Sequence, residues 1–284
     1  MAFKNNVAIM DQTKTTSAST SRAPVKGFFI DIDGVLLIEK QLIHGALEAI
    51  DFLNKNSIPY MLLTNTTRRS RMSLYTNLQR MGFKLTPEQI YTAPYAASLW
   101  LKSKGVKAIH LYLRGDVYRE FKDFRITANK PEYVVIGDVG EDLTYDNLNQ
   151  VFRLIMGGAR MLALQKNRYW QRGDGLAIDA GGIVAALEYA TRKRAFVIGK
   201  PSPGFFRHAI AQIGLPAENI AMIGDDMEAD IKGAARLGLQ TIAVQTGKFR
   251  KRKLTRKSKL PNYLLSSIAA LPGWYKKTKQ AEEK

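Results

Sequence analysis

Gly27-Phe28-Phe29-Ile30-Asp31-Ile32-Asp33-Gly34-Val35-Leu36 is an apolar run that stops at two carboxylates two residues apart, followed by glycine. It reads as a buried strand over 28–31. Carboxylates at the carboxyl edge of a buried strand need partners, because a lone charge taken out of water is costly. A hard cation and a phosphate are the simplest partners. With both, one acid can ligate metal and attack phosphorus while the other handles the proton. Residues two apart on extended backbone point to one face, and a turn at Gly34 swings the second acid over the first. A solvated loop start is the weaker alternative for a strand ending in Asp-x-Asp-Gly.

Outward from this strand, apolar strand-like and amphipathic helix-like segments alternate, which predicts an α/β chain with a parallel sheet. Strands are expected at 60–63, 106–113, 133–136, 195–198, 220–223 and 241–244. Helices are expected at 45–54, 69–81, within 87–104, and at 145–156, 182–190, 204–213 and 227–237. Residues 167–175 read as a polar, aromatic loop. Residues 261–274 place Leu264, Leu265, Ile268 and Leu271 at the spacing of one helical face.

Three further polar clusters follow strand ends. Thr64, Asn65 and Thr66 lead into a helix, where a hydroxyl, an amide and backbone N–H groups can hold phosphate oxygens or simply cap the helix. Lys200 lies in Gly199-Lys200-Pro201-Ser202-Pro203, whose prolines fix a cation at the sheet edge. Asp225, Asp226 and Asp230 follow Ile220–Gly224. Asp225 suits direct Mg²⁺ ligation, and Asp226 and Asp230 suit supporting roles or helix capping. In an open α/β sheet such strand ends share one crevice, so the four clusters can converge.

In this order, Asp-x-Asp-Gly, Thr-Asn, Gly-Lys-Pro and Gly-Asp-Asp-x-x-x-Asp resemble the four motifs of the haloacid dehalogenase-like phosphohydrolase superfamily. About 130 residues separate the second motif from the third. Together with Asn167-Arg168-Tyr169-Trp170, Asp174-Gly175-Leu176 and Ala185–Ala190, this spacing resembles the subfamily with a large inserted α/β cap. That subfamily includes nucleotide, sugar and pyridoxal phosphate phosphatases and a phospholysine/phosphohistidine/inorganic pyrophosphate phosphatase. The resemblance implies a Rossmann-like core at 25–104 and 195–272 and a cap at 105–194. A disordered leader is expected at 1–24 and a polar tail at 273–284. It further implies that Asp31 forms an aspartyl-phosphate and binds Mg²⁺. Asp33 serves as acid/base with its carbonyl on the metal. Thr64, Asn65, Thr66 and Lys200 hold the phosphoryl group, and Asp225 completes the metal site. Trp170, with Tyr169 and Arg172, is a candidate for contacting the leaving group or for packing the cap. The implied activity is hydrolysis of a small phosphorylated substrate, and a cap-mediated homodimer is an expectation.

Composition sets the remaining bounds. The 284 residues include no cysteine, which excludes thiolate metal sites, cysteine nucleophiles and disulfides, and suits a cytoplasmic protein. No apolar run reaches membrane-spanning length. The first 24 residues have three basic groups and one acidic, and a transit peptide is the alternative to a disordered leader. Of the net charge of +18, residues 248–284 contribute +10, whereas residues 25–247 contribute only +6. The run 248–259 has eight basic residues in twelve. A solvated charge run is its simpler reading. The alternative is a catalytically weak protein of this fold that presents a basic loop to nucleic acid, membrane or an acidic partner.

Overall fold

The computed structural model describes residues 22–172, 175–249 and 261–282. The expected leader lies outside these residues except for its last three, and the basic run lies outside them beyond Phe249. Among the described residues no helix is long and apolar enough to cross a membrane.

The chain opens with β1 (Gly27–Ile30), a small antiparallel hairpin of β2 (Leu37–Ile38) and β3 (Gln41–Leu42), α1 (Ala46–Lys55), β4 (Tyr60–Thr64), α2 (Arg71–Arg80), β5 (Ile90–Thr92) and α3 (Ala93–Ser103). A second set follows: β6 (Ala108–Tyr112), β7 (Arg125–Ile126), β8 (Tyr133–Ile136), α4 (Tyr145–Met156), β9 (Arg160–Ala163), a hairpin of β10 (Tyr169–Arg172) and β11 (Gly175–Ile178), α5 (Ala180–Thr191) and β12 (Phe196–Val197). The chain then returns through α6 (Pro203–Ile213), β13 (Ile220–Gly224), the short α7 (Gly233–Ala235), β14 (Gln240–Val244), β15 (Tyr263–Leu265) and α8 (Leu271–Glu282).

Two parallel sheets result. The first has the order β15-β14-β13-β1-β4-β5 and the second β12-β9-β8-β6-β7. Both are covered on two faces, so their central strands are apolar throughout rather than alternating. Phe28 and Ile30 face a core shared with Ile50 and Leu53 of α1, Leu78 of α2 and Leu271 of α8. Phe29 faces the opposite side, with Leu101 of α3 and Phe205 of α6. That second core also contains Ile109, Val135 and Leu162 of the second sheet, so the two sheets share buried surface.

Several expectations need correction. Residues 87–104 hold a strand as well as a helix, because Ile90–Thr92 pairs beside β4. The expected loop at 167–175 is largely a hairpin. The stretch 263–265 is a strand paired with β14, not a helix. Tyr263 and Leu265 turn to the core and Leu264 turns away, a period of two that mimics half a helical stripe over three residues. Residues 273–282, read as a polar tail, lie in α8. There Trp274 and Tyr275 pack edge-on to Phe28 at 6.4 and 5.7 Å between ring centroids. Finally, Phe196–Val197, read as part of the core segment, pairs with β9 of the second sheet.

Candidate active site

β1 ends at Ile30, so Asp31 is the first residue beyond the strand, held by its N–H donating to the Ile223 carbonyl at 2.9 Å. Its side chain is buried. The Ile32 N–H donates to Asp31 Oδ1 at 2.8 Å, and Lys200 Nζ lies 2.8 Å from the same oxygen. Two donors on one oxygen fix the orientation of the carboxylate.

Lys200 is buried, and its ammonium meets three acceptors: Asp31, Asp230 Oδ1 at 2.7 Å and the Leu63 carbonyl at 2.9 Å. Burial alone would lower its pKa, but the Asp230 and Asp31 carboxylates outweigh that and raise it, so the group stays charged. Lys200 arrives from the crossover after β12, a strand of the second sheet, rather than from an edge of the first. Asn65 fastens that crossover. Its Oδ1 accepts from the Lys200 N–H at 2.8 Å, and its Nδ2 donates to the Lys200 carbonyl at 2.8 Å. The Asn65 side chain thus grips the lysine's backbone. Thr64, also buried, accepts from the Thr66 N–H at 3.0 Å and tightens the turn after β4.

The β13 end supplies the other acids. Asp225 is buried against the chain turn at Gly34 and the loop after β14. A Cβ at Gly34 (φ +90) would sit 2.1 Å from Asp225 Oδ2, and one at Gly247 (φ +57) would sit 2.0 Å from it. Both positions require glycine, for space and for conformation. The Lys248 N–H donates to Asp225 Oδ2 at 2.6 Å. Burial, then the neighbouring Asp31, push the Asp225 carboxyl up to about 7. Asp226 caps the turn that follows, accepting from the N–H groups of Glu228 and Ala229 at 3.0 and 3.1 Å. Burial opposes ionisation of Asp226, but Lys248 and the two N–H groups hold its pKa low. Asp230 is completely buried, and burial and Asp31 raise its pKa despite Lys200.

Asp33 remains accessible to solvent, while surrounding protein and then Asp31 raise its pKa. A raised pKa favours the protonated acid, the form that can donate a proton. Its bridge to Leu37 anchors the hairpin start.

Five carboxylates thus gather around two buried or half-buried lysines. Oxygens of Asp31, Asp225 and Asp230 lie within 4.8 Å of one another. Lys200 compensates Asp31 and Asp230, which leaves Asp225 with a backbone amide as its nearest donor. An all-oxygen, under-neutralised cluster of this kind fits a hard divalent cation.

The structure brings together Asp31, Asp33, Thr64, Asn65, Thr66, Lys200, Asp225, Asp226 and Asp230. Trp170 lies on β10, half-buried and opposite Ala177. Among the described residues no hydrogen bond, ion pair or ring contact joins it to that group. Lys248 was missed by the sequence reading. Its Nζ lies 3.5 Å from Asp226, and its charge also acts on Asp179, the N-cap of α5. The available signal was Thr246-Gly247-Lys248 directly after an apolar strand, a fifth strand-end cluster masked by the basic run.

Residues 28–127 match the haloacid dehalogenase-like hydrolase family, and residues 197–271 match a HAD-hydrolase-like family. The chain is 39% identical over 231 residues to haloacid dehalogenase-like hydrolase domain-containing protein 2 of Bos taurus, covering 81% of this chain and 88% of that one. It is 39% identical over 233 residues to phospholysine phosphohistidine inorganic pyrophosphate phosphatase of Rattus norvegicus, covering 80% and 85%. Among solved structures, a p-nitrophenyl phosphatase from Archaeoglobus fulgidus matches with a TM-score of 0.83 at 25% identity, covering 89% of this chain and all of that one. NagD from E. coli K-12 matches with a TM-score of 0.78 at 25% identity, covering 87% and 98%. Identity of this extent, on this sheet order, means that the chain belongs to the haloacid dehalogenase-like hydrolase family and is a phosphatase within it.

Proposed function

We propose that the protein hydrolyses small phosphorylated metabolites by a Mg²⁺-dependent route through an aspartyl-phosphate on Asp31. The observation that carries this is the buried Asp31 carboxylate, oriented by Lys200 and Ile32 on one oxygen and set beside the under-neutralised Asp225. Asp31, Asp225 and the Asp33 carbonyl would hold Mg²⁺, which neutralises charge on the phosphoryl oxygens when bound. The Thr64–Thr66 turn and Lys200 position the phosphoryl group for in-line attack by Asp31. Asp33, with its raised pKa, protonates the leaving oxygen; the resulting carboxylate then takes a proton from the water that attacks phosphorus. The acyl-phosphate bond breaks, Asp31 is restored and inorganic phosphate leaves.

The inserted sheet, with its hairpin at 169–178, is the proposed cap that shields this chemistry and selects the leaving group. A generic aryl phosphate provides the first test. Turnover should occur with Mg²⁺, stop with EDTA and return when Mg²⁺ is restored. Undiminished hydrolysis in EDTA would rule out the metal-dependent route. Asp33→Asn should slow both formation and breakdown of the intermediate, so normal turnover in that variant would remove its acid/base role.

A further inference from the structure

Three arginines follow the turn after β4 in close succession, and two have clear structural partners. Arg68 forms a two-point pair with Asp138 at 2.8 and 3.1 Å. Arg71 stacks on Tyr95 at 4.2 Å and donates to the Pro87 carbonyl. Arg69 has no hydrogen bond or ion pair among the described residues. It lines a groove of about 470 Å³ between α2 and the short 3₁₀ turn Asp116–Phe121 of the second sheet's segment. Ser73, Asn77 and Arg80 recur along α2 at helical spacing and line the same groove, and Arg119 faces them from the turn. Arg80 and Arg119 likewise have no ion pair among the described residues. No carboxylate lines the groove.

Three guanidinium groups lining one groove concentrate positive charge there, and their planar forks suit phosphate oxygens. Ser73 and Asn77 add neutral polar groups. Arg69 lies three residues beyond the Thr64–Thr66 turn, so the chain runs from the proposed phosphoryl site directly into the groove. A ligand with one phosphate at Asp31 would extend towards Arg69 with the rest of its body.

We propose that this groove binds a second phosphate carried by the leaving group, so that preferred substrates bear phosphates at two separated positions. This rests on the phosphatase reading above and adds the substrate class. Because Arg119 comes from the inserted segment, such a ligand would also contact both parts of the chain, and the second phosphate would help hold the inserted sheet over the site.

Hexyl phosphate and hexane-1,6-diol bisphosphate differ only in the distal phosphate. The wild-type kcat/KM should favour the bisphosphate by about tenfold or more, the scale of one charge-assisted contact. In the Arg80→Gln, Arg119→Gln double variant the ratio should collapse towards one, with unchanged circular dichroism. An unchanged ratio in the variant, or no wild-type preference, would overturn the proposal. Calorimetric titration of the bisphosphate into Asp31→Asn protein reads the groove without turnover. A roughly tenfold loss of affinity on adding the two arginine substitutions would uphold the groove even where neither compound is hydrolysed, an outcome that would instead count against the Asp31 mechanism. Equal affinities there would overturn the groove.

Discussion

The two parallel sheets are built alike and use their carboxyl ends differently. In the first, the residues after β1, β4 and β13 carry the acids and hydroxyls that converge around Lys200. In the second, the residues after β6 and β8 carry polar groups that tie the two sheets together. Asp138, after β8, pairs with Arg68, and its N–H donates to Thr67 Oγ1 at 3.0 Å. Gly115, after β6, lets the backbone pass so close to Arg68 that a Cβ would sit 2.1 Å from its carbonyl oxygen. Polar groups at strand ends therefore do not by themselves mark chemistry. The difference lies in compensation: the docking pairs are neutral and half-exposed, whereas the first sheet's cluster has a buried centre of Asp31, Lys200, Asp225 and Asp230 and more acids than bases.

That contrast can be broken experimentally. The largest effect is expected for Asp31→Asn, which removes the proposed nucleophile while leaving the fold intact. Turnover should fall by about 10⁴-fold or more. Wild-type turnover in a folded Asp31→Asn protein would dissolve the distinction between the two sheets.

Lys200→Met comes next. It leaves Asp31 and Asp230 buried without their counter-ion, and should cost about 3–5 kcal/mol in denaturant unfolding. The matching loss on the docking side, Arg68→Met, removes a half-exposed pair and should cost about 1 kcal/mol or less. Equal costs would show that burial does not separate the two regions.

Glycine substitutions sharpen the comparison further. Gly247→Ala drives a methyl into Asp225 at a left-handed backbone position and should lower turnover by roughly 10–100-fold, as expected for a displaced ligand. Gly158, in the second sheet's segment, is also left-handed (φ +113) but opens onto free space. Gly158→Ala should lower the melting temperature without moving kcat/KM. A parallel loss of activity in both variants would contradict the assignment.

The mildest effect concerns pH. Burial and Asp31 raise Asp225 to about 7 in the folded protein, against about 4 in an unfolded chain. The folded state then binds this proton more tightly. The stabilisation is complete below about pH 4 and is lost as pH rises through about 7. In EDTA, melting temperatures should decline from pH 5 to 8, and added Mg²⁺ should flatten the decline. A rise over the same range in EDTA would reverse the sign required of Asp225.

Much of this site was legible in the sequence because its acids and Lys200 interrupt apolar runs and are framed by glycine or proline. Tyr133–Ile136 and Tyr145–Met156 have the bounds expected from sequence because the first is an unbroken apolar run and the second is an amphipathic stretch framed by Thr144 and Gly157. Other features depend on partners far along the chain. Asn65 looked like a phosphate ligand, but its side-chain partner is the backbone of Lys200, 135 residues away. Lys248 looked like one charge among many, and only the fold sets its N–H against Asp225. Residues 167–175 read as a loop because they lack a sustained apolar face, and the paired strand Gly175–Ile178 is only partly buried. Arg69 illustrates the reverse problem. In sequence it is indistinguishable from Arg68 and Arg71, and three-dimensional pairing alone sets it apart.

The central claim is that Asp31 becomes phosphorylated. Rapid acid quench of the enzyme during turnover of a phosphate-labelled aryl ester, followed by peptide mapping, tests it directly. The account predicts a hydroxylamine-sensitive label on the peptide containing Asp31, dependent on Mg²⁺ and absent in Asp31→Asn. Turnover without any trapped label under all of these conditions, or a label on another residue, would contradict it.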